Sequence, residues 1–403
     1  MHFTIVSYTF PPSKEIGGRR WAKFSQQLAK KGHNVTVVCA NNSGSLEWYQ
    51  KEFVGIDFCV LPRNYPEWLN GYANNILEKL LYLIYTRIFT HFTKKNLFDK
   101  GFAWRNPMLN ALEDLHSKKA IDVLVVSGGP FSLLNYGAEF KMLHKEIQYV
   151  ADIRDPWTWG GLYGIPNMSN NKKKYQELSE LNTIKECNMF CYPTQNMGDV
   201  LMQKYPTFAS KLYLLSHAFD PDKFSNVIKD EKRDGFIYGG TMYNGIQEYI
   251  LQLDKIIKAN PNIGFKWNIY TGTQYPLINS NFANGMITIH PFVKEEQLFK
   301  LISKSAAYLA FFPITDKDLI STKFFEIIYT ETPILFIGEE GEVGKFIREN
   351  KLGVHILPEN IVSELPKYLN GNVPFTKNYF NVSQYSFSAV TDTFLNALKD
   401  YKE

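Results

Sequence analysis

The sequence predicts two doubly wound α/β domains in one chain, and three observations carry the prediction. A β-branched strand, a Pro/Gly loop and an amphipathic helix open the chain. The same order restarts near residue 235, and helix and strand patterns alternate along the second half. A length of 403 residues exceeds what one core ordinarily supports, so two domains are expected. With 45% hydrophobic and 21% charged residues, the composition is that of a folded chain and excludes collagen-like, low-complexity and coiled-coil readings.

The first strand is Phe3–Tyr8, followed by the loop Pro11–Gly18 and a helix over Arg20–Lys31. Gly32 and His33 stop that helix, and Asn34–Ala40 reads as the next strand, which completes a β-loop-α-β unit. Further strands are expected at Asp122–Ser127 and Gln148–Ile153. Right-handed crossovers would place the loops after them along one sheet edge, where ligands bind in such folds. A short strand near Leu212 gives way to a polar connection over 223–234. The second domain opens with Gly235–Thr241. It continues with a helix (Ile246–Ala259), two strands (Phe265–Thr271, Met286–His290), a helix (Lys294–Lys304), a strand (Ala307–Phe312), a helix (Ser321–Thr330) and a strand (Pro333–Ile337). The expected boundaries are 1–215 and 216–384, the two domains facing each other across a cleft, with a last amphipathic helix within 385–403 packing back on the first.

Charge and cysteine usage narrow the setting. Residues 1–217 carry 25 Lys/Arg against 18 Asp/Glu, whereas residues 218–403 carry 19 against 22, so the halves are expected to meet different partners. Cys39, Cys59, Cys187 and Cys191 are too few for a disulfide framework, and the Cys187/Cys191 spacing lacks a second ligand pair for structural zinc, which points to a reducing compartment. The first residues read as a strand rather than a secretory leader. The most apolar stretch, Ile76 to Phe92, is broken by Glu78, Lys79, Arg87 and His91 and is not expected to span a bilayer. Residues 76–95 nevertheless place leucines and isoleucines at helical spacing beside Lys79, Arg87, Lys94 and Lys95, which suits either a core-facing helix or a peripheral membrane contact.

Four groups of residues could carry chemistry. Gly17 and Gly18, followed by Arg19 and Arg20, form a strand-to-helix loop that suits an anion or a tight turn. Neither a G-x-G-x-x-G fingerprint nor a phosphate-binding GK[ST] loop is present, which argues against an ordinary dinucleotide enzyme and against an NTPase. Gly239, Gly240 and Thr241 repeat the glycine pair at the start of the second domain. Asp152, Arg154 and Asp155 end a strand. Finally, Asp318 precedes a helix start at Ser321 and Thr322, with Lys323 in its first turn and Glu326 one turn later. Strings such as Asp220-Pro-Asp222 and Asp316-Lys-Asp318 are read as chance acidic pairs rather than a metal site.

The stretch Asp318 to Ile334 resembles the C-terminal signature of GT-B glycosyltransferases, especially retaining family 4, in which two glutamates are separated by seven residues. Glu326 matches the second, Asp318 stands one methylene short of the first, and Thr332-Pro333-Ile334 matches the end of the pattern. The opening Pro11 to Val38 is similar to the family's N-terminal unit, and Ala151 to Trp157 to a segment of polysaccharide-assembly members. The resemblance implies the GT-B architecture, with residues 1–215 binding an acceptor and 216–384 a nucleotide-sugar. It implies Glu326 on the nucleotide ribose, Asp318 on the transferred sugar, and Lys323, Gly240 and Thr241 on the diphosphate, with Gly239, Ser321 and Thr322 also in the donor-binding set. Gly17, Gly18, Arg19 and Arg20 would serve an acceptor phosphate.

Two departures from the family stand out: no cation follows Gly240, and Arg154-Asp155 replaces a His-Asp pair. Arginine stays protonated, so Asp155 or Asp152 is left to orient or activate the acceptor hydroxyl, and Arg154 to pair with a carboxylate or phosphate; the alternative is a structural Arg–Asp network. The expected activity is transfer of a sugar to a glycan or polyprenyl-pyrophosphate-linked hydroxyl in surface-polysaccharide assembly, with retention and without a metal or other cofactor. It is placed in the cytoplasm or at the inner membrane face, with no nucleic-acid partner. The competing readings are a GT-B nucleotide-sugar epimerase and a non-catalytic nucleotide-sugar-binding subunit.

Overall fold

The structure, a computed structural model, describes all residues except 14–15, 43, 66–74, 93–98, 161–167, 225–233, 241–246, 263, 273–284, 312–318, 378 and 402–403. The chain forms two compact units, Met1–Ser216 with Val390–Glu403, and His217–Ala389.

In the first unit seven strands form one sheet. They are β1 (His2–Ser7), β2 (Asn34–Ala40), β3 (Ile56–Leu61), β4 (Val123–Ser127), β5 (Gln148–Asp152), β6 (Met189–Tyr192) and β7 (Leu212–Leu214), in the order β3-β2-β1-β4-β5-β6-β7. Every pairing is parallel. Parallel strands covered on both faces are apolar throughout rather than alternating, which explains why all six residues of β1 are buried. Phe3 lies opposite Val35 of β2 on one side and Val123 of β4 on the other. The order of strands reverses at β1, so the loops leaving β1 and β4 diverge there and open a crevice at the carboxyl edge.

The second unit repeats the plan. Its strands are β8 (Phe236–Gly239), β9 (Trp267–Tyr270), β10 (Ile287–His290), β11 (Ala307–Phe311), β12 (Ile334–Ile337) and β13 (Gly353–Ile356), ordered β10-β9-β8-β11-β12-β13. All are parallel, and the reversal falls between β8 and β11. A continuous core of aromatic and branched side chains, among them Phe236, Trp267, Phe311, Phe324 and Ile347, fills this unit.

Strands β3, β6 and β13 are additions to what the sequence pattern shows. β6 and β13 have four residues each and β3 is half-exposed at an edge, so pairing with a neighbour rather than their own periodicity makes them strands. β13 starts at Gly353 with φ +149°, and a Cβ there would lie 2.0 Å from the Ile334 carbonyl oxygen across the ladder. Gly353→Ala should therefore destabilise this unit by about 3 kcal/mol. Thermal unfolding checks this, and an unchanged melting temperature would refute it.

The C-terminal residues belong to the first unit. The ring of Phe394 packs edge-on against Trp21 at 6.0 Å, Asp392 pairs with Lys31 at 2.7 Å, and the Gln148 side-chain amide donates to the Leu398 carbonyl at 2.8 Å. All four cysteines are free, and burial pushes the Cys39 and Cys187 thiols up to about 12. Among the described residues no helix is long and apolar enough to cross a membrane.

Candidate active site

At the switch point of the first sheet the loops after β1, β4 and β5 converge. Gly18 is pressed against the backbone of Thr9, where a Cβ would sit 2.3 Å from the carbonyl oxygen. Gly17 lies against the guanidinium of Arg154; a Cβ there would come within 1.8 Å of Nη1. Arg154, two residues beyond β5, donates from Nε to the Gly128 carbonyl and from Nη2 to the Gly129 carbonyl, both at 3.2 Å. Those glycines form the loop after β4, and Gly129 has φ +77° and a cis bond to Pro130. Three strand-end loops thus hold one cation at the carboxyl edge, where an anionic or hydroxyl-bearing ligand binds in this class of sheet. Asp155 stands next to it, half-buried. The cradle explains the glycine at 17: Gly17→Ala must displace Arg154. If Arg154 touches the acceptor, turnover should drop at least tenfold while the melting temperature stays within a few degrees; turnover at the wild-type level would remove Arg154 from the site.

Arg20 and Asp152 are placed differently. Both are buried, at 4% and 0% side-chain exposure. Arg20 donates from Nε to Asp152 Oδ2 at 3.1 Å and from Nη2 to Oδ1 at 3.2 Å, and the Trp21 indole donates to Oδ2 at 2.7 Å. The remaining guanidinium donors reach the carbonyls of Leu215 (2.6 Å) and Ser216 (2.9 Å), the last two residues before the chain enters the second unit. Arg20, expected in the anion loop, is therefore an internal partner of Asp152. Arg19 at the same helix start is exposed.

Beside this edge lies a feature that sequence reasoning did not single out. Asp99 is 5% exposed. It accepts from the backbone N–H and hydroxyl of Ser132, each at 2.8 Å, and from the Gly101 N–H at 3.0 Å. Burial raises its pKa and these hydrogen bonds oppose the rise. Asp99, Phe102, Asn135, Tyr136, Trp157 and Tyr175 are among the residues lining a small, partly open pocket. Nothing in the local sequence around Asp99 signals this, because the wall comes from four separate segments.

In the second unit, β8 ends at Gly239, and Gly240 follows with φ +150°. The helix Thr322–Tyr329 brings Lys323 to this turn: its Nζ donates to the Gly239 carbonyl at 2.9 Å and would lie 3.0 Å from a Cβ at Gly240. Glu326, one turn further along the same helix face, is 7% exposed. Burial lowers the Lys323 pKa, and the charges of Glu326 and Glu295 oppose that shift. Lys223, a cation not singled out from the sequence, reaches Glu295 at 3.0 Å and Glu326 Oε1 at 4.0 Å. It lies 103 residues before Glu326, so only folding pairs them. Gly240 N–H donates to the Tyr270 carbonyl at 3.0 Å, so among the described residues Lys323 and the helix start supply positive charge at this turn. Ser321 stands at the N-cap of the helix without a side-chain cap bond. Thr241 and Asp318 lie outside the described residues.

Among the described residues one His/Glu group, His116, His144 and Glu146, comes within metal-ligand distance. It lies at the opposite, amino edge of the first sheet. The Ile121 N–H donates to His116 Nδ1 at 3.2 Å, which places the neutral ring's proton on Nε2, facing Glu146 rather than open to a metal.

No family model matches the sequence, and no curated protein does. Solved structures do match. The N-terminal domain of trehalose-6-phosphate phosphatase from Candida albicans aligns at TM-score 0.68 and 11% identity, covering 99% of this chain and 97% of that one. A glycosyltransferase from Rickettsia africae ESF-5 aligns at 0.62 and 12%, covering 99% and 98%. The apo form of the lipopolysaccharide outer core galactosyltransferase WaaB aligns at 0.63 and 11%, covering 99% of each. Likeness at such low identity speaks for architecture, and with two parallel sheets of seven and six strands the chain has the GT-B fold.

Proposed function

We propose that this chain is a glycosyltransferase that moves a sugar from a nucleotide-sugar to a hydroxyl of a glycan or polyprenyl-pyrophosphate-linked acceptor, with retention, in surface-polysaccharide assembly. The observation that carries the reading is the pairing of Lys323 and Glu326, one helical turn apart, at the glycine turn on the switch point of the second sheet. The GT-B fold and the glycosyltransferases among its structural neighbours support it.

In this reading Glu326 accepts the ribose hydroxyls. Lys323 leaves the Gly239 carbonyl, which keeps the Tyr308 hydroxyl at 3.1 Å, and meets the diphosphate. As the bond between the anomeric carbon and the phosphate oxygen breaks, the electron pair goes to the leaving diphosphate. The ammonium and the helix start stabilise its growing charge, so no metal is called for. On the acceptor side Asp152 is committed to Arg20, which leaves Asp155 to orient the incoming hydroxyl and Arg154 to hold an acceptor anion. The hydroxyl's proton goes to the departing phosphate on the same face. The site of action is the cytoplasm, at the inner membrane face where a polyprenyl-linked acceptor is held.

A melting-temperature panel of UDP, GDP, CMP, dTDP and ADP tests the donor half. A ligand at a hundred times its Kd stabilises by about 2.7 kcal/mol, so one nucleotide should raise the transition by several degrees. No shift with any of them would overturn the reading.

A further inference from the structure

Lys223 is placed by the residues on either side of it. The chain turns tightly over Pro221–Phe224, where the Asp222 N–H donates to Asp220 Oδ1 and the Lys223 N–H to the Asp220 carbonyl, both at 3.3 Å. Phe224, 3% exposed, plugs between two helices: its ring centroid lies 4.6 Å from that of Phe299 and 5.0 Å from that of Tyr329. Phe299 belongs to the helix Glu295–Ser303, and Tyr329 ends the helix Thr322–Tyr329, which carries Glu326. The aromatic plug therefore sets the preceding lysine between two glutamates. Its Nζ donates to Glu295 Oε2 at 3.0 Å and stands at ion-pair distance, 4.0 Å, from Glu326 Oε1. Glu295 lies in the first turn of its helix, where backbone N–H groups favour an anion, so it anchors the ammonium. All of these residues belong to the second unit.

An ion pair as open as Lys223–Glu295, at 36% and 42% side-chain exposure, contributes little to stability. Its consequence lies at Glu326, whose side chain is 9% exposed. The last torsion of a glutamate is broad, and a cation standing to one side of Oε1 confines the plane of the carboxylate. Lys323 is drawn to the Gly239 carbonyl at 2.9 Å, so Lys223 is the cation placed for that task. A vicinal diol needs the plane fixed: each hydroxyl donates to one carboxylate oxygen, and a rotated carboxylate meets one hydroxyl at a time. Resting on the reading in which Glu326 accepts the ribose hydroxyls, we propose that Lys223, held by Glu295, is a positioning residue that aims the Glu326 carboxylate at both of them. The three residues together make the site select ribonucleotides over their 2′-deoxy counterparts. A 2′-deoxy ligand withholds one donor from a nearly buried carboxylate, the penalty that a site built to hydrogen-bond a hydroxyl imposes on the analogue lacking it.

The test is titration calorimetry of the full chain with UDP, GDP, ADP and CMP, each beside its 2′-deoxy counterpart, and with dTDP. The wild type should bind the ribose form of its nucleotide about tenfold or more tighter than the 2′-deoxy form. Lys223→Met should lose roughly three- to tenfold on the ribose form and less than about twofold on the 2′-deoxy form, so that the preference shrinks. Lys223→Arg, which keeps a cation beside Oε1, should hold the preference within about twofold of wild type. Glu295→Gln should weaken ribose binding about two- to threefold, and adding it to Lys223→Met should cost nothing further, since both act through one carboxylate. Lys223 and Glu295 are partly exposed, so these variants should melt within a few degrees of wild type. If Lys223→Met loses equally on both forms, or keeps the wild-type affinity and preference, the proposal is overturned. So is it by a wild type that binds both forms equally, or dTDP alone, while Glu326→Ala still loses affinity, an outcome that leaves the donor reading standing. A wild type that binds none of these nucleotides removes both.

Discussion

Arg20→Ala should lower the melting temperature of the first unit by about 10 °C or more. The guanidinium and the Asp152 carboxylate are buried and joined by two hydrogen bonds, so truncating one leaves the other as an uncompensated interior charge. Breaking such a pair costs about 3–5 kcal/mol, and each kcal/mol moves a domain of this size by about 2–4 °C. Two further acceptors, the Leu215 and Ser216 carbonyls, lose their donor at the same time. Arg20→Lys should recover only part of the loss, because an ammonium cannot reproduce the fork that meets both carboxylate oxygens. Asp152→Asn, which keeps the shape but strands the cation, should fall below wild type as well. Differential scanning calorimetry separates these cases. An Arg20→Ala protein melting within 2 °C of wild type would show that the pair contributes little, and would reopen Asp152 and Arg20 as ligand-binding groups.

Lys323→Met should uncouple stability from ligand binding. Burial lowers the Lys323 pKa in the folded protein, so the unfolded chain holds the proton more firmly. The sign follows from linkage: while the lysine is protonated in both states the ammonium costs stability, and the cost fades as pH rises through the folded pKa toward the ordinary lysine value. Methionine removes the charge and fills similar volume, and the Gly239 carbonyl keeps the Tyr308 hydroxyl. The ligand-free variant should therefore melt at or above the wild-type temperature at neutral pH. Its nucleoside diphosphate affinity should fall roughly 10- to 150-fold, the worth of about 1.5–3 kcal/mol for a charge-assisted hydrogen bond. Turnover should fall a further 10²- to 10³-fold if the ammonium stabilises the departing phosphate. Glu326→Ala should lose affinity to a similar degree but not turnover of bound donor, since a ribose contact is the same before and during bond breaking. Titration calorimetry with the nucleotide found in the panel, beside single-turnover rates, distinguishes the two. Equal affinity in wild type and both variants would place the donor elsewhere.

Much of the plan was legible along the chain because its signals are local. β1, β2, β4 and β5, the helix after the Gly17/Gly18 loop and the Lys323/Glu326 helix each show in a window of a dozen residues. The edge strand β3 and the four-residue strands β6 and β13 did not show, because cross-strand pairing makes them. In the candidate site the division is similar. Lys323 and Glu326 could be picked out as neighbours on one helix face, whereas Lys223 and the Asp99 cavity could not, since their partners come from distant segments.

The sequence by itself determined the α/β class, the restart near residue 235, the glycine turns after β1 and β8 and the cation and carboxylate one turn apart, because propensity and periodicity act over a few residues. Only the tertiary structure decided what those charges do. It buried Arg20 against Asp152, 132 residues away, and set Arg154 between Gly17, Gly128 and Gly129. It also turned the leucines of Ile76–Phe92 outward, where their spacing alone fits a core helix equally well. The physical reason is the same in each case: whether a side chain is a ligand contact, an internal ion pair or an exposed face depends on desolvation and partners, and those are supplied by segments that meet only in the folded chain.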